Sequence, residues 1–381
     1  MGSQLALAPS ILRWAEARAQ RSDHSFTSDF ANWAEWVDGR GGPTFRQAEK
    51  IAKQAHVPFG TLFLTEPPDF EIPLTDFRLG LVGDRHDPSS ELRDVIQLSI
   101  TRQTWFLDYA AREGLARPQL PPVDLNDIVD AARRTTEALE FTVGDRRRTR
   151  AELRRRLRQS FESLGGLVVM TSMVGNDSHR PLDRDEFRGF ALYESSAPMI
   201  FVNSHDDTLA GQFFTFFHEL GHILRAENAL DNADLRSHAD GAEAWCNSFA
   251  AESLVPEHDL RTQFRSERDP SAESKRLQDR YQCSPLVILL RMRELRLIDR
   301  DDFDEIYSAL DQEMREVARR QQDESHGGDF YSNLPYRAGE RLSHAVIADL
   351  RSGSTSFTDA FRLLGVSNAQ QIDKYEQKLT R

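Results

Sequence analysis

The chain has 381 residues, with 48 lysines and arginines against 61 aspartates and glutamates, for a net charge of −13. Its length sets a prior of two or three structural units, and 39% hydrophobic with 29% charged residues is ordinary for a globular protein, not a disordered or fibrous one. The acidic balance argues against a purely electrostatic nucleic-acid binder, and no apolar run reaches the length of about 18 residues that a membrane helix needs.

Two cysteines, Cys246 and Cys283, cannot build a disulfide framework, so the reduced cytoplasm is the expected location. The opening MGSQLALAPSILRWAEARA has no basic n-region and no long apolar h-region, so no secretory signal is expected. Ile11 to Ala19 has a helical pattern, and the polar RSDHSFTS breaks it. Phe30, Trp33 and Trp36 then recur at helical spacing up to Val37. After the turn DGRGGP, Thr44 and Gln47 form a capping-box pair, and Ala48, Ile51, Ala52 and Ala55 line one face of the helix they open. VPFGTLFLTEPP closes a bundle of short helices that suits a helix-turn-helix-like unit. Residues 92–113 read as one long helix, and Leu115 to Asp124, with three prolines, as a linker. Helices are expected near 126–140 and 150–164. Short buried strands are expected at Leu167 to Met170 and in Ala197 to Asn203, with a polar loop between them. From about residue 210 the pattern is helical, apart from breaks at 226–240 and 323–335.

The sharpest chemical signal is His218-Glu219-Leu220-Gly221-His222, an H-E-x-x-H motif. At about 100° per residue, with His218 at 0°, His222 falls near 40° and Glu219 near 100°. Phe213, Phe216, Phe217, Leu220, Ile223 and Leu224 occupy the arc from about 140° to 260°. The greasy arc should therefore meet the core, with both imidazoles pointing together into a cleft. Two imidazoles one turn apart can share one tetrahedral zinc, expected at about one ion per chain. Glu219 is placed to take a proton from the attacking water.

A catalytic zinc needs a third protein ligand. ADGAEAWCNSFAAESLVP offers Glu243 and Glu252, which nine residues of helix put on opposite faces. Glu243 shares its face with Asn247, Ala250 and Leu254. It is the chosen ligand, with Asn247 one turn on as a hydrogen-bonding support, and Ala250 and Ala251 allow close helix approach. Glu252 is the runner-up, and an N-terminal helix glutamate favoured by the dipole is the plainer reading of Glu243. Cys246 reads as a buried free cysteine, and His179, His205 and His238 as surface histidines. Met199, Ile200, Phe201 and Val202 are expected to bind the substrate backbone by strand addition, as a sheet edge would.

HELGH, preceded by APMIFVN and FFTF and followed by EAWCNSFAAESLVP, resembles the ImmA/IrrE family of zinc metallopeptidases. SHRPLDRDEFRGFALYE resembles the segment that family carries before its buried strand. PTFRQAEKIAKQAHVPFGTLFLTEPP resembles the XRE-type helix-turn-helix of one branch. CSPLVILLRMRELRLID, GGDFYSNLPYRAGERLSHAVIADLRSG and SFTDAFRLLGVS resemble the helical tail of the same branch. The resemblance implies zinc ligands at His218, His222 and Glu243, and a base at Glu219. It also implies an intracellular endopeptidase that cuts a partner protein, an XRE-type repressor or antitoxin encoded nearby, in a stress, mobile-element or toxin–antitoxin setting. The expected fold is α+β and predominantly helical, a small zincin-like core with a short sheet between two helical regions. The expected division is a helix-turn-helix-like domain at 1–70, a helical connector and linker at 71–124, the peptidase at 125–265 and a helical domain at 266–381.

Arg146, Arg147, Arg148, Arg150, Arg154, Arg155, Arg156 and Arg158 cluster within Asp145 to Gln159. They read either as a solvated helix rim or as a docking site for an acidic partner or a nucleic-acid signal. The alternative to an enzyme is a DNA-binding regulator with a sensory or inactive peptidase-like domain. Residues 1–70, with seven basic and eight acidic side chains, lack the electrostatic footprint of a DNA reader.

Overall fold

In the computed structural model, residues 4–20, 26–68, 88–205, 208–231, 241–299, 303–324 and 329–380 are described. The chain divides into two compact units, Met1–Pro73 with Gly83–Ile96, and Leu74–Val82 with Gln97–Arg381. Residues 71–87 of the expected connector lie outside the described residues.

The first unit packs α1 (Pro9–Gln20), α2 (Phe26–Asp29), α3 (Trp33–Val37) and α4 (Phe45–Gln54) around one apolar cluster. The aromatic segment is not one helix from Phe30 but two short ones, and its helical turns begin inside the expected polar break. The interruption at Phe30 lets Phe26 meet Trp33 edge-on at 4.8 Å while Phe30, Trp33 and Trp36 stay buried. At α4 the Gln47 side-chain oxygen accepts the Thr44 N–H at 2.8 Å, and Ala48, Ile51, Ala52 and Ala55 turn inward.

The second unit takes up α5 (Ser90–Glu113) from Gln97 onward, then α6 (Ile128–Ala138), α7 (Arg150–Ser163), β1 (Leu167–Thr171), β2 (Gly189–Leu192), β3 (Met199–Asn203), α8 (Leu209–Leu224), β4 (Ala229–Asp231) and α9 (Ala242–Leu254). It continues through α10 (Glu257–Gln263), α11 (Pro270–Tyr281), α12 (Pro285–Glu294), α13 (Phe303–Glu324), α14 (Phe330–Leu334), α15 (Glu340–Arg351), α16 (Phe357–Leu364) and α17 (Ala369–Leu379). The fold is predominantly helical with one small mixed sheet. Its strand order is β1-β3-β2-β4, with β3 parallel to β1 and antiparallel to β2, and β4 antiparallel to β2.

The interior place of β3 overturns the expected substrate edge at Met199, Ile200, Phe201 and Val202. Both sides of this strand are already hydrogen-bonded, and all four side chains are buried. Its unbroken apolar run is what a central strand requires, whereas an edge with one wet face would alternate. The proline-rich stretch is likewise no free tether. The Gln119 N–H donates to the Leu164 carbonyl at 2.7 Å, and Leu120 and Val123 pack on the core. The outer side of β1 is covered by the π-helical turn Pro335–Gly339, where Gly339 has φ +88° and a Cβ would lie 3.0 Å from the Val168 carbonyl.

Candidate metal centre

Helix α8 begins at an N-cap, where Thr208 Oγ1 accepts the Gly211 N–H at 3.2 Å. It is buried almost all round, as a helix between a sheet and a second helix must be. Phe213, Phe216, Phe217, Leu220 and Ile223 join the main core as the periodicity requires. The histidine face does not look onto open solvent. His218 and His222 are 1% and 0% exposed, because α9 packs directly across them. The two helices approach closely at Gly221, where a Cβ would lie 3.0 Å from Cys246 Sγ and 3.2 Å from Cys246 Cα. The glycine inside the motif thus permits the close spacing between α8 and α9.

That spacing brings Glu243, in the first turn of α9, onto both imidazoles. His218 Nε2 lies 3.2 Å from Glu243 Oε2, His222 Nε2 lies 3.1 Å from Glu243 Oε1, and the two Nε2 atoms are 3.2 Å apart. A tetrahedral ion with bonds of about 2.0–2.1 Å has ligand–ligand edges of about 3.3 Å. The three side chains therefore already hold the positions that one face of such a tetrahedron needs. His218 Nδ1 lies 3.0 Å from Asn247 Oδ1. An amide oxygen only accepts, so Nδ1 carries the hydrogen and the Nε2 lone pair faces the cluster. Burial alone would raise the Glu243 carboxyl, but the two imidazoles outweigh it and hold the group well below the usual carboxylate range. The donor set of two nitrogens and one carboxylate suits zinc, and His218, His222 and Glu243 form a group able to hold a metal ion.

Glu219 is not one of the three residues in this ligand group. It is fully buried, and its carboxylate reaches over the start of β2, where a Cβ on Gly189 would lie 2.8 Å from Glu219 Oε1. The same Cβ would sit 2.7 Å from the Phe201 carbonyl and from Thr215 Cγ2, so only glycine fits. Nothing in the residue pattern singled out Gly189, although a glycine opening a buried strand is a cue for close approach.

The runner-up Glu252 is not in the cluster. It pairs with Arg291, both side chains being 5% exposed, and accepts the Glu257 N–H at 3.3 Å. Burial pushes its carboxyl up, with Arg291 pulling the other way. Cys246 is buried against Gly221, and burial, with Glu243 and Glu219 nearby, pushes its thiol far up, which makes it a packing residue and not a thiolate. His179 is exposed and His205 half-buried, while His238 lies outside the described residues.

The arginine cluster is a poorer docking surface than its composition implied. Arg146 is 1% exposed and donates to the carbonyls of Phe141, Ser253, Leu254 and Tyr281. Arg158 is 2% exposed and pairs with Glu162 and Glu340. Arg154 lies over the Tyr336 ring at 4.3 Å. Arg147, Arg148 and Arg155 remain exposed. The first two border a cavity of about 710 Å³ whose wall also carries Asp259 and Asp279, so the surroundings are mixed in charge.

Residues 146–293 match the IrrE N-terminal-like domain of the peptidase M78 family, and residues 338–378 match a domain of unknown function, DUF8813. The first match runs from just before α7 into α12, contains the sheet and the His218/His222/Glu243 cluster, and supports membership of that segment in the family. No curated protein matches the chain. No helix among the described residues is long and apolar enough to cross a membrane.

Proposed function

We propose that the chain is a zinc-dependent endopeptidase that hydrolyses a peptide bond in a partner protein. The observation that carries this reading is the convergence of His218, His222 and Glu243 at tetrahedral spacing on the two helices, with Glu219 next to the first ligand. A bound zinc would supply Lewis acidity to the scissile carbonyl and lower the pKa of water. The chain's own residues do the rest. Asn247 keeps the His218 lone pair turned inward, and Glu219 would accept the proton of the attacking water and return it to the leaving amine. Substrate backbone would add at β4, which pairs only with β2 among the described residues. The partner is an XRE-type repressor or antitoxin encoded nearby, and the setting is the cytoplasm.

A second reading is favoured by the complete burial of Glu219 behind Gly189. In it the cluster holds a metal without hydrolysing anything, and the chain is a DNA-binding regulator with a sensory peptidase-like domain. One experiment separates the two. The chain is co-expressed with the neighbouring gene product, as wild type and as Glu219→Gln, and fragments are read by mass spectrometry. The peptidase reading expects cleavage by the wild type alone, with zinc retained in both proteins. An intact partner in both, with zinc bound, would leave the regulator reading standing.

A further inference from the structure

Helix α8 ends two residues after His222, and the manner of its ending places a carboxylate behind that ligand. Ala226 adopts the left-handed conformation at φ 61°, which a residue with a Cβ adopts only reluctantly. The Ala226 N–H donates to the Ile223 carbonyl at 3.1 Å, and the Glu227 N–H donates to the His222 carbonyl at 3.0 Å. This pair of bonds is a Schellman motif, with His222 three residues before the cap. It folds Glu227 back over the last turn, where Glu227 Oε2 lies 3.8 Å from His222 Nδ1. That nitrogen is buried and makes no hydrogen bond among the described residues. Arg225 grips both Glu227 oxygens, with Nε to Oε2 and Nη2 to Oε1 each at 3.0 Å, and its guanidinium lies 5.8 Å from the centre of the Trp245 ring on α9.

We infer that Glu227 is the positioning residue for His222, accepting the Nδ1–H when Nε2 serves as a ligand, with Arg225 orienting the carboxylate. The inference rests on the reading of His218, His222 and Glu243 as a metal centre. The two imidazoles need the same service, a hydrogen-bond acceptor behind the ring that fixes the tautomer and raises the basicity of the ligating nitrogen. For His218 Asn247 already provides it at 3.0 Å. For His222 the Glu227 carboxylate is the matching group, and closing the remaining gap takes only a change of side-chain torsion, because the backbone of Glu227 is already tied to His222.

The test needs no substrate. Zinc affinity of the full-length chain is measured by competition with a chromogenic chelator, and the visible absorption of the cobalt-loaded protein reports the ligand field. Glu227→Ala should weaken zinc binding by about 10- to 100-fold while leaving the melting of the metal-free protein unchanged, and should shift the cobalt bands. Glu227→Gln, whose amide oxygen still accepts a hydrogen bond, should recover most of the loss, and Arg225→Met should fall between. Zinc binding by Glu227→Ala within about twofold of wild type, with His222→Ala abolishing it, would overturn the inference and leave the metal centre intact. A wild-type chain that binds no zinc would remove the metal centre itself, and the inference with it.

Discussion

Glu243 and Glu252 lie on one helix nine residues apart, and opposite fates are expected for their substitution. The Glu252 carboxylate and the Arg291 guanidinium are each 5% exposed and face one another. Removing the carboxylate in Glu252→Ala strands a buried cation, a lesion that costs about 3–5 kcal/mol. Arg291 keeps Glu294 at 2.7 Å and the Val255 carbonyl at 3.3 Å, so the lower figure of about 3 kcal/mol applies. For a unit of this size that is a fall in melting temperature of roughly 5–10 °C. The metal should be untouched, because Glu252 has no part in the cluster.

Glu243→Gln should behave in reverse. The side chain is 23% exposed and, among the described residues, its two oxygens face the imidazoles, so the metal-free protein should lose only that carboxylate–imidazole attraction and no buried ion pair. What disappears is the zinc. A ligand present at a hundred times its dissociation constant stabilises by about 2.7 kcal/mol, and this increment should vanish from the variant. Thermal melts with and without chelator, paired with metal analysis, test both substitutions on one plate. If Glu252→Ala strips the zinc and Glu243→Gln keeps it, the ligand assignment is refuted.

Two further outcomes follow from named contacts. Gly189→Ala forces a Cβ to within 2.7–2.8 Å of the Phe201 carbonyl, Thr215 Cγ2 and Glu219 Oε1. It should cost about 1–3 kcal/mol and, by displacing Glu219, abolish cleavage with zinc retained, as metal analysis beside a cleavage assay would show. The hydrogen bonds of Arg276 hold the Glu273 carboxyl below the ordinary glutamate range, with the Arg265 N–H assisting. A depressed folded-state pKa contributes stability that is complete above the unfolded value of about 4.3 and is lost on acidification. Urea midpoints at neutral and acid pH should therefore converge for wild type and Glu273→Gln as the pH falls, and a constant gap between them would contradict this.

The residues that were legible in sequence are those whose environment is set by local period. Helix α8 repeats its apolar positions without interruption, so the shared face of His218 and His222 and the separation of Glu243 from Glu252 could be worked out from spacing alone. β2 and β4 could not be read, because three or four residues carry too little pattern, and Gly189 acquires meaning only once Glu219 is laid over it. The arginine run misled for a related reason. Charge composition does not reveal that the donors of Arg146 end on carbonyls of Ser253, Leu254 and Tyr281, far along the chain. The interior position of β3 was available in principle, since Met-Ile-Phe-Val does not alternate. Glu227 escaped notice because its role depends on a left-handed alanine, which no residue pattern announces.

The turn at Pro335–Gly339 that shields β1 has a bearing on how the protein is made. Val168 and its cover are about 170 residues apart, and ribosomes add about 5–20 residues per second. For roughly ten to thirty seconds of synthesis, the strand beside β3 is translated while its cover does not yet exist. An uncovered strand edge invites pairing with other chains, and Arg158 waits just as long for Glu340. The nascent chain therefore carries an open sheet through the middle of its own synthesis. Its tail works as a late-arriving guard, so expression yield should depend on residues far outside the peptidase-like segment.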